Sequence, residues 1–354
     1  MTEFFCPTKI WSGSGSLERL KTLHAKRVLI VTDAYFSGSG SAKAVGARIS
    51  GAEVRIFDQV RPDPPAALAA EGAAICKQFA PDLLIALGGG SVMDCAKAIR
   101  FASDVQMEFY AVPTTSGSGS EVTSFSVLTH GDAKYPLIDP LLRPDVAILD
   151  DTLLQNLPQA LIADTGFDVL THCIEALGSQ NRNAFSDALA MAAAETVFSS
   201  LEASFSGDLA VRGNVHEAAT MAGMAFDHAG LGLCHAMAHG LGGVTHLPHG
   251  RLCAMLLPHV MQVNSASALC QYARLARFCG VGAATDQLSL RGLQRLINRL
   301  RTAVHMPATW KEAGIELTVT DTLLDVILED PCCKSNPVPV TKDMIFRVLK
   351  AVAE

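Results

Sequence analysis

The sequence predicts an α/β N-terminal domain built on a parallel sheet, followed by an all-α C-terminal domain. Two observations carry this: short β-branched runs alternate with Ala-rich segments through the first half, and beyond Leu157 strand texture gives way to Ala, Leu and Met at helical spacing. Arg27–Asp33 (RVLIVTD) reads as the first strand, closed by the turn-prone Ser37–Ser41 (SGSGS). Val54–Asp58 and Leu83–Leu87 (LLIAL) follow, with Ala66–Phe79 long enough for a crossover helix between them. Phe109–Val112 and Val146–Leu149 complete the predicted strands. Pro158 sits in the first turn of a helix through Glu175, Phe185–Phe198 forms a second, and Leu290, Leu293, Leu296, Ile297, Leu300 and Val304 mark an amphipathic one. The boundary is expected near residue 155, giving domains 1–155 and 156–354.

Composition narrows the function classes. With 49% hydrophobic residues and a net charge of −7, the chain is neither disordered nor a general nucleic-acid binder. The longest apolar stretches are broken by Asp164, Asp168, Asp227 or His228, so no membrane span is expected. The opening MTEFFCPTKIW lacks the basic and apolar segments of an export signal, which makes a cytoplasmic location the expectation. Ten scattered cysteines without a CxxC pair read as reduced, mostly buried apolar residues rather than ligands or nucleophiles.

The strand LLIAL runs into Gly88, Gly89, Gly90 and Ser91, then into a helix beginning VMDCAKAI. Glycines let the backbone approach a ligand closely, and the N–H groups of a new helix favour an anion such as a phosphate. Ser91 with Asp94 also reads as a simple capping box. A second polar loop, Pro113 to Glu121 (PTTSGSGSE), again follows a strand, where open α/β sheets bind ligands. Asp33 can accept from both hydroxyls of an adenosine ribose and repel a 2′-phosphate, favouring NAD over NADP; as an ordinary turn residue it needs neither role.

Six of the eleven histidines fall between His228 and His259. Asp168 and His172 are four apart, as are His235 and His239, so each pair shares a helix face. His249 follows beyond the Gly-rich segment 240–243. A carboxylate amid Phe167, Val169 and Leu170 is costly to bury unless paired or coordinated, so the cluster reads as a divalent transition-metal site, with His239 as ligand or neighbour left open. His216, His259 and His305 read as hydrogen-bonded core residues.

Four segments, GGGSVMDCAKAI (88–99), PTTSGSGSEVTS (113–124), TGFDVLTHCIEA (165–176) and AGLGLCHAMAHGLGGVTHLPHG (229–250), resemble the iron-dependent (group III) alcohol dehydrogenases. The resemblance covers essentially the whole chain. AKYPLID, RPDVAILD and THLPHG are similar to the short-chain propanol and ethanol dehydrogenases of bacterial microcompartments. The resemblance implies Asp168, His172, His235 and His249 as metal ligands and places His239 near the nicotinamide. It implies Gly89, Gly90, Ser91 and Asp94 as the pyrophosphate loop, Thr114, Thr115 and Ser118 as the second cofactor loop, Asp33 as the ribose acid, and Lys134 as a lysine that reaches the cofactor. The segment Phe101 to Phe109 is shorter than in many relatives, and His246 and the Asp227-His228 pair vary.

The implied reaction is metal-dependent, NADH-linked reduction of a C2–C4 aldehyde to its primary alcohol, and the reverse. Fe2+ is the implied ion, with Zn2+ an acceptable substitute. A reductase for lactaldehyde or sulfoacetaldehyde is the alternative. A cyclase of the dehydroquinate-synthase-like type needs more cations than Arg182 and Arg212, the only ones between Asp168 and His249. The resemblance also implies a homodimer and a place inside a microcompartment beside aldehyde-producing enzymes.

Overall fold

The computed structural model describes residues 4–130 and 133–353, with the side chains of residues 130, 133 and 134 outside the description. The chain divides into two compact units, residues 5–156 and, among the described residues, 157–353, the latter joined by Phe4.

The first unit holds a six-stranded parallel sheet of β1 (Lys9–Ser12), β2 (Arg27–Asp33), β3 (Glu53–Val60), β4 (Leu83–Gly88), β5 (Glu108–Pro113) and β8 (Val146–Leu149), ordered β1-β8-β5-β4-β2-β3. Side chains alternate across it. Leu29, Val31, Leu84 and Ala86 pack on one face with α3 (Ala66–Phe79) and α4 (Gly90–Ser103), while Val28, Ile30, Leu83 and Ile85 pack on the other with Leu17, Leu20 and α2 (Ser41–Gly46). Because both faces are covered, the central strands are unbroken apolar runs.

From β2 the chain crosses to β3 on one side and then to β4 on the other, so the strand order reverses between β2 and β4. The carboxyl ends of β2, β4 and β5 are neighbours there, with Thr32 opposite Leu87 and Gly88 opposite Pro113. Two features depart from the sequence reading. Ser37–Ser41 is not one open turn: α1 (Ala34–Gly38) and α2 flank it, with Gly40 supplying the left-handed φ of 81°. A two-stranded antiparallel ribbon, β6 (Phe125–His130) and β7 (Ala133–Ile138), was not anticipated; Pro136 and Lys134 disguise β7 as loop.

The second unit is helical throughout its described residues: α5 (Gln159–Gly178), α6 (Ala184–Phe205), α7 (Arg212–Ala229), α8 (Leu233–Thr245), α9 (His249–Phe278), α10 (Asp286–Ala303), α11 (Asp321–Glu329) and α12 (Lys342–Ala353). Pro158 lies one position earlier than expected, as the N-cap of α5. The 30-residue α9 is long and apolar enough to cross a membrane, yet it packs against α5, α8, α10 and α12 as a core helix. His305 is a correction: it is exposed, because it follows the end of α10 with a left-handed φ of 56° that turns it off the apolar stripe. His216 is buried and His259 partly so.

A buried amide pair fastens the C-terminal segment to this bundle. Asn336 Nδ2 donates to Asn264 Oδ1 at 2.9 Å, Asn264 Nδ2 donates back at 2.9 Å, and Asn336 Oδ1 also accepts from the Leu233 N–H at 3.1 Å. Asn336→Ala leaves Asn264 and the first N–H of α8 unsatisfied in a dry site, and each orphan costs about 1–3 kcal/mol. The urea midpoint of the helical unit, read by far-ultraviolet circular dichroism, is expected to fall by the equivalent of about 3 kcal/mol; an unchanged midpoint refutes this.

Candidate metal centre and cofactor loops

Helix α5 places Asp168, His172 and Glu175 on one face by their i, i+4, i+7 spacing. Helix α8 brings His235 in its first turn, and α9 begins at His249. The three imidazoles converge on one oxygen: Asp168 Oδ1 lies 3.8 Å from His172 Nε2, 3.6 Å from His235 Nε2 and 3.5 Å from His249 Nε2. These separations exceed a hydrogen bond but match the edges of a coordination shell, since two donors each about 2.1 Å from an ion at the tetrahedral angle stand about 3.4 Å apart. Asp168 Oδ1 and His235 Nε2 are buried with no hydrogen-bond partner, a cost that an ion between them removes. The donor set of imidazole and carboxylate therefore fits a divalent transition metal.

Burial works to protonate Asp168, but the surrounding histidines, His172 foremost, outweigh it and hold the carboxyl well below its ordinary range, in the anionic form that ligates. Burial also opposes charge on His235, yet the groups around it, the Cys253 sulfur, Asp168 and Glu175, raise its pKa well above the usual value.

Glu175 organises the cluster. It is buried, its Oε2 accepts from the Gly232 N–H at 2.9 Å and its Oε1 from the Cys234 N–H at 2.6 Å, so one carboxylate caps the start of α8. The same Oε2 lies 2.6 Å from His235 Nδ1, which places a proton on Nδ1 and turns Nε2 toward Asp168. His172 is stacked between His235, 4.6 Å away centroid to centroid, and Phe226 at 4.3 Å. At the start of α9, Arg251 grips Asp164 through Nε at 3.1 Å and Nη2 at 3.0 Å, and Gly250 lies so close to the Asp164 carbonyl that a Cβ there overlaps it. His249 is thereby pinned against α5.

His239 stands beside this group without joining it. Its ring is 5.2 Å from that of His249, and its Nδ1 is 2.8 Å from Asp330 Oδ2. Asp330, whose other oxygen accepts from the Cys332 N–H at 2.8 Å, is held below the usual carboxylate range: burial opposes ionisation, and the His239 contact outweighs it. The bond to Asp330 commits Nδ1 and leaves Nε2 as the working nitrogen.

In the first unit, the expected cofactor residues gather at the carboxyl edge of the sheet. Gly89 and Gly90 open α4 with no side-chain cap on its N-terminus. A Cβ on Gly89 meets Thr115 Oγ1 at 3.2 Å, and one on Gly90 meets Ser118 Cβ at 3.1 Å, so the glycines keep a cradle open between the two loops. Ser91 and Asp94 do not form the capping box: Ser91 is already inside the helix, where its backbone is helical, and Asp94 Oδ1 accepts from Ser120 Oγ at 3.0 Å. Thr114 is held by its N–H bond to Gly88 O at 3.0 Å. Asp33 ends β2 and caps α1, its Oδ1 accepting from the Phe36 N–H at 3.1 Å. Lys134 lies on β7, and its side chain is outside the described residues.

Sequence reasoning missed three residues. Lys97 is fully buried and donates from Nζ to Ser120 Oγ at 2.8 Å, Thr123 Oγ1 at 3.0 Å and the Phe125 carbonyl at 2.8 Å, stitching α4 to the second loop; its signal was a lysine within an apolar helix, MDCAKAI. Glu175 had its signal in the i+7 spacing from Asp168. Cys253 falls within the metal cluster one turn beyond His249, although the cysteine spacings pointed to no ligand.

A model of the iron-containing alcohol dehydrogenases matches residues 7–151, and one of the C-terminal part of the Fe-containing alcohol dehydrogenase family matches residues 162–353. The 1-propanol dehydrogenase PduQ of Citrobacter freundii is 43% identical over 87% of each chain. The NADPH-dependent butanol dehydrogenase of Clostridium saccharobutylicum is 37% identical, covering 99% of this chain and 98% of that one. The structure of an iron-containing alcohol dehydrogenase from Thermococcus thioreducens superposes with a TM-score of 0.90 at 34% identity, covering 99% of both chains. Matched in both halves and aligned with these relatives nearly from end to end, the chain belongs to the iron-containing alcohol dehydrogenase family and is an oxidoreductase.

Proposed function

We propose that this chain interconverts a small C2–C4 aldehyde, such as propionaldehyde or acetaldehyde, and its primary alcohol, using NAD(H) and a divalent ion held by Asp168, His172, His235 and His249. One observation carries the reading: three histidine nitrogens stand 3.5–3.8 Å from a single buried carboxylate oxygen that has no hydrogen-bond partner. When bound, the ion supplies Lewis acidity toward the aldehyde oxygen, and NADH supplies the hydride.

The chain's own groups do the rest. Asp168 brings the negative charge, and Glu175 holds His235 by Nδ1 so that Nε2 is directed at the site. His239 Nε2 delivers a proton to the nascent alkoxide and recovers it in the reverse direction, while Asp330 holds the ring by Nδ1. Gly89, Gly90, Ser91 and Asp94 present the pyrophosphate loop, and Thr114, Thr115 and Ser118 the facing one. The second oxygen of Asp33 takes the adenosine ribose; its charge disfavours a 2′-phosphate, which supports NAD(H) over the NADP(H) of the butanol enzyme. Lys134 is the candidate to reach the cofactor.

Zn2+ is a workable substitute for iron with these donors. The likeness to 1-propanol dehydrogenase PduQ supports a place within a bacterial microcompartment, where the chain acts as a homodimer beside aldehyde-producing enzymes. Lactaldehyde and sulfoacetaldehyde remain in the substrate class as functionalised alternatives.

The reading is tested by following NADH absorbance anaerobically over C2–C4 aldehydes, with metal-stripped protein reloaded with Fe2+ or Zn2+. Metal-restored NADH consumption is expected, and His249→Ala should abolish it while NADH binding persists; turnover by verified metal-free protein overturns the proposal. Glu175→Gln is expected to weaken Zn2+ binding about 10–100-fold in a chelator competition, because one remaining acceptor oxygen cannot serve His235 Nδ1 and both α8 N–H groups, and the charge is lost; wild-type affinity in that variant removes Glu175 from the site. Asp33→Ser keeps the helix cap but loses the charge. Its preference for NADH over NADPH, read as a ratio of kcat/KM, should shrink at least about tenfold, and an unchanged ratio sinks the ribose assignment.

A further inference from the structure

Cys253 lies one turn after His249 on α9, so its thiol projects from the same helix face. Its Sγ is 3.6 Å from His249 Nε2 and falls, with the ligand atoms of Asp168, His235 and His249, in one group whose members all lie within 4.8 Å of each other. His172, 3.8 Å from the Asp168 oxygen, is outside that compact set. The sulfur has no exposure to solvent. Gly250 and the Arg251–Asp164 pair fix the first turn of α9, which holds the backbone of His249 and Cys253 in one register toward the cluster.

We propose that Cys253 is a sulfur donor to the ion, which makes the centre a mixed nitrogen, oxygen and sulfur site that favours thiophilic ions. This rests on the metal site proposed above. The chemistry balances simply: the thiol shares its hydrogen with the His249 Nε2 lone pair, and an incoming dication takes both the sulfur and the nitrogen while one proton leaves to solvent. Soft thiolate ligation raises affinity for zinc, cobalt or cadmium more than for iron or manganese, whose preference for oxygen and nitrogen donors is met by the other ligands. The centre thus discriminates among ions through one residue. A small apolar filler in the core makes no such discrimination.

The test uses the full-length protein stripped and reloaded with Co2+. Wild type is expected to show visible d–d bands together with a near-ultraviolet sulfur-to-cobalt charge-transfer band. Cys253→Ala, a small change in buried volume verified by its melting curve, should keep the d–d bands and lose the charge-transfer band. In chelator competition, the same variant should bind Zn2+ and Cd2+ at least about tenfold more weakly while its Mn2+ affinity changes far less. Visible bands in wild type without the charge-transfer band overturn the role of Cys253 and leave the metal site standing. Equal weakening for Zn2+ and Mn2+ overturns the selectivity. If wild type gives no d–d bands at all, the metal site falls and this inference with it.

Discussion

The carboxylate of Glu175 joins two problems that the second unit must solve together. Helix α8 begins inside the protein, where its first residues are buried, and His235 must present Nε2 toward Asp168. Glu175 accepts from the Gly232 and Cys234 N–H groups and holds His235 Nδ1 at 2.6 Å. The charge that steadies the helix end is the charge that holds the imidazole. With α8 set in this way, His239 follows one turn later within reach of Asp330. The stack of Phe226, His172 and His235 then joins α7, α5 and α8.

A comparable arrangement stands in the first unit with the sign reversed. The buried ammonium of Lys97 gathers two hydroxyls from the loop after β5 and the first carbonyl of β6, and Ser120 passes the connection on to Asp94. Burying a lysine is costly unless all three donors are used, and here they are. The result is two loops from neighbouring strands held at a spacing where a Cβ at position 89 or 90 crowds Thr115 or Ser118. Each unit therefore places one fully engaged buried charge behind a surface that is left incompletely satisfied.

Local pattern made the regular elements legible. The apolar runs of β2 and β4, the Ala-rich α3 and the amphipathic α10 have periods that one stretch of chain displays by itself. Elements whose stability comes from distant partners were not legible. β1 is four residues that become a strand by pairing with β8, more than 130 residues away. The hairpin of β6 and β7 contains a proline that counts against a strand. The histidine spacing drew attention to the residues that now converge on Asp168, because i, i+4 pairs are local. The orienting groups were hidden: Glu175 and His235 are 60 positions apart, and His239 and Asp330 are 91 apart. His305 misled because a lone histidine beside an apolar helix reads as a core residue, whereas the backbone reversal at the end of α10 turns it outward.

The contact between Gly250 and the Asp164 carbonyl has an evolutionary side. Every codon for glycine is one base change away from residues that all carry at least a Cβ, and each of those meets the Asp164 carbonyl directly. Drift at this position is closed in every direction, in contrast to the solvent-facing residues of the same helix. A lineage that loses the glycine must first separate α9 from α5, and that separation takes His249 away from Asp168. The codon at 250 therefore works as a genetic lock on the geometry of the cluster, although the residue itself touches no ligand.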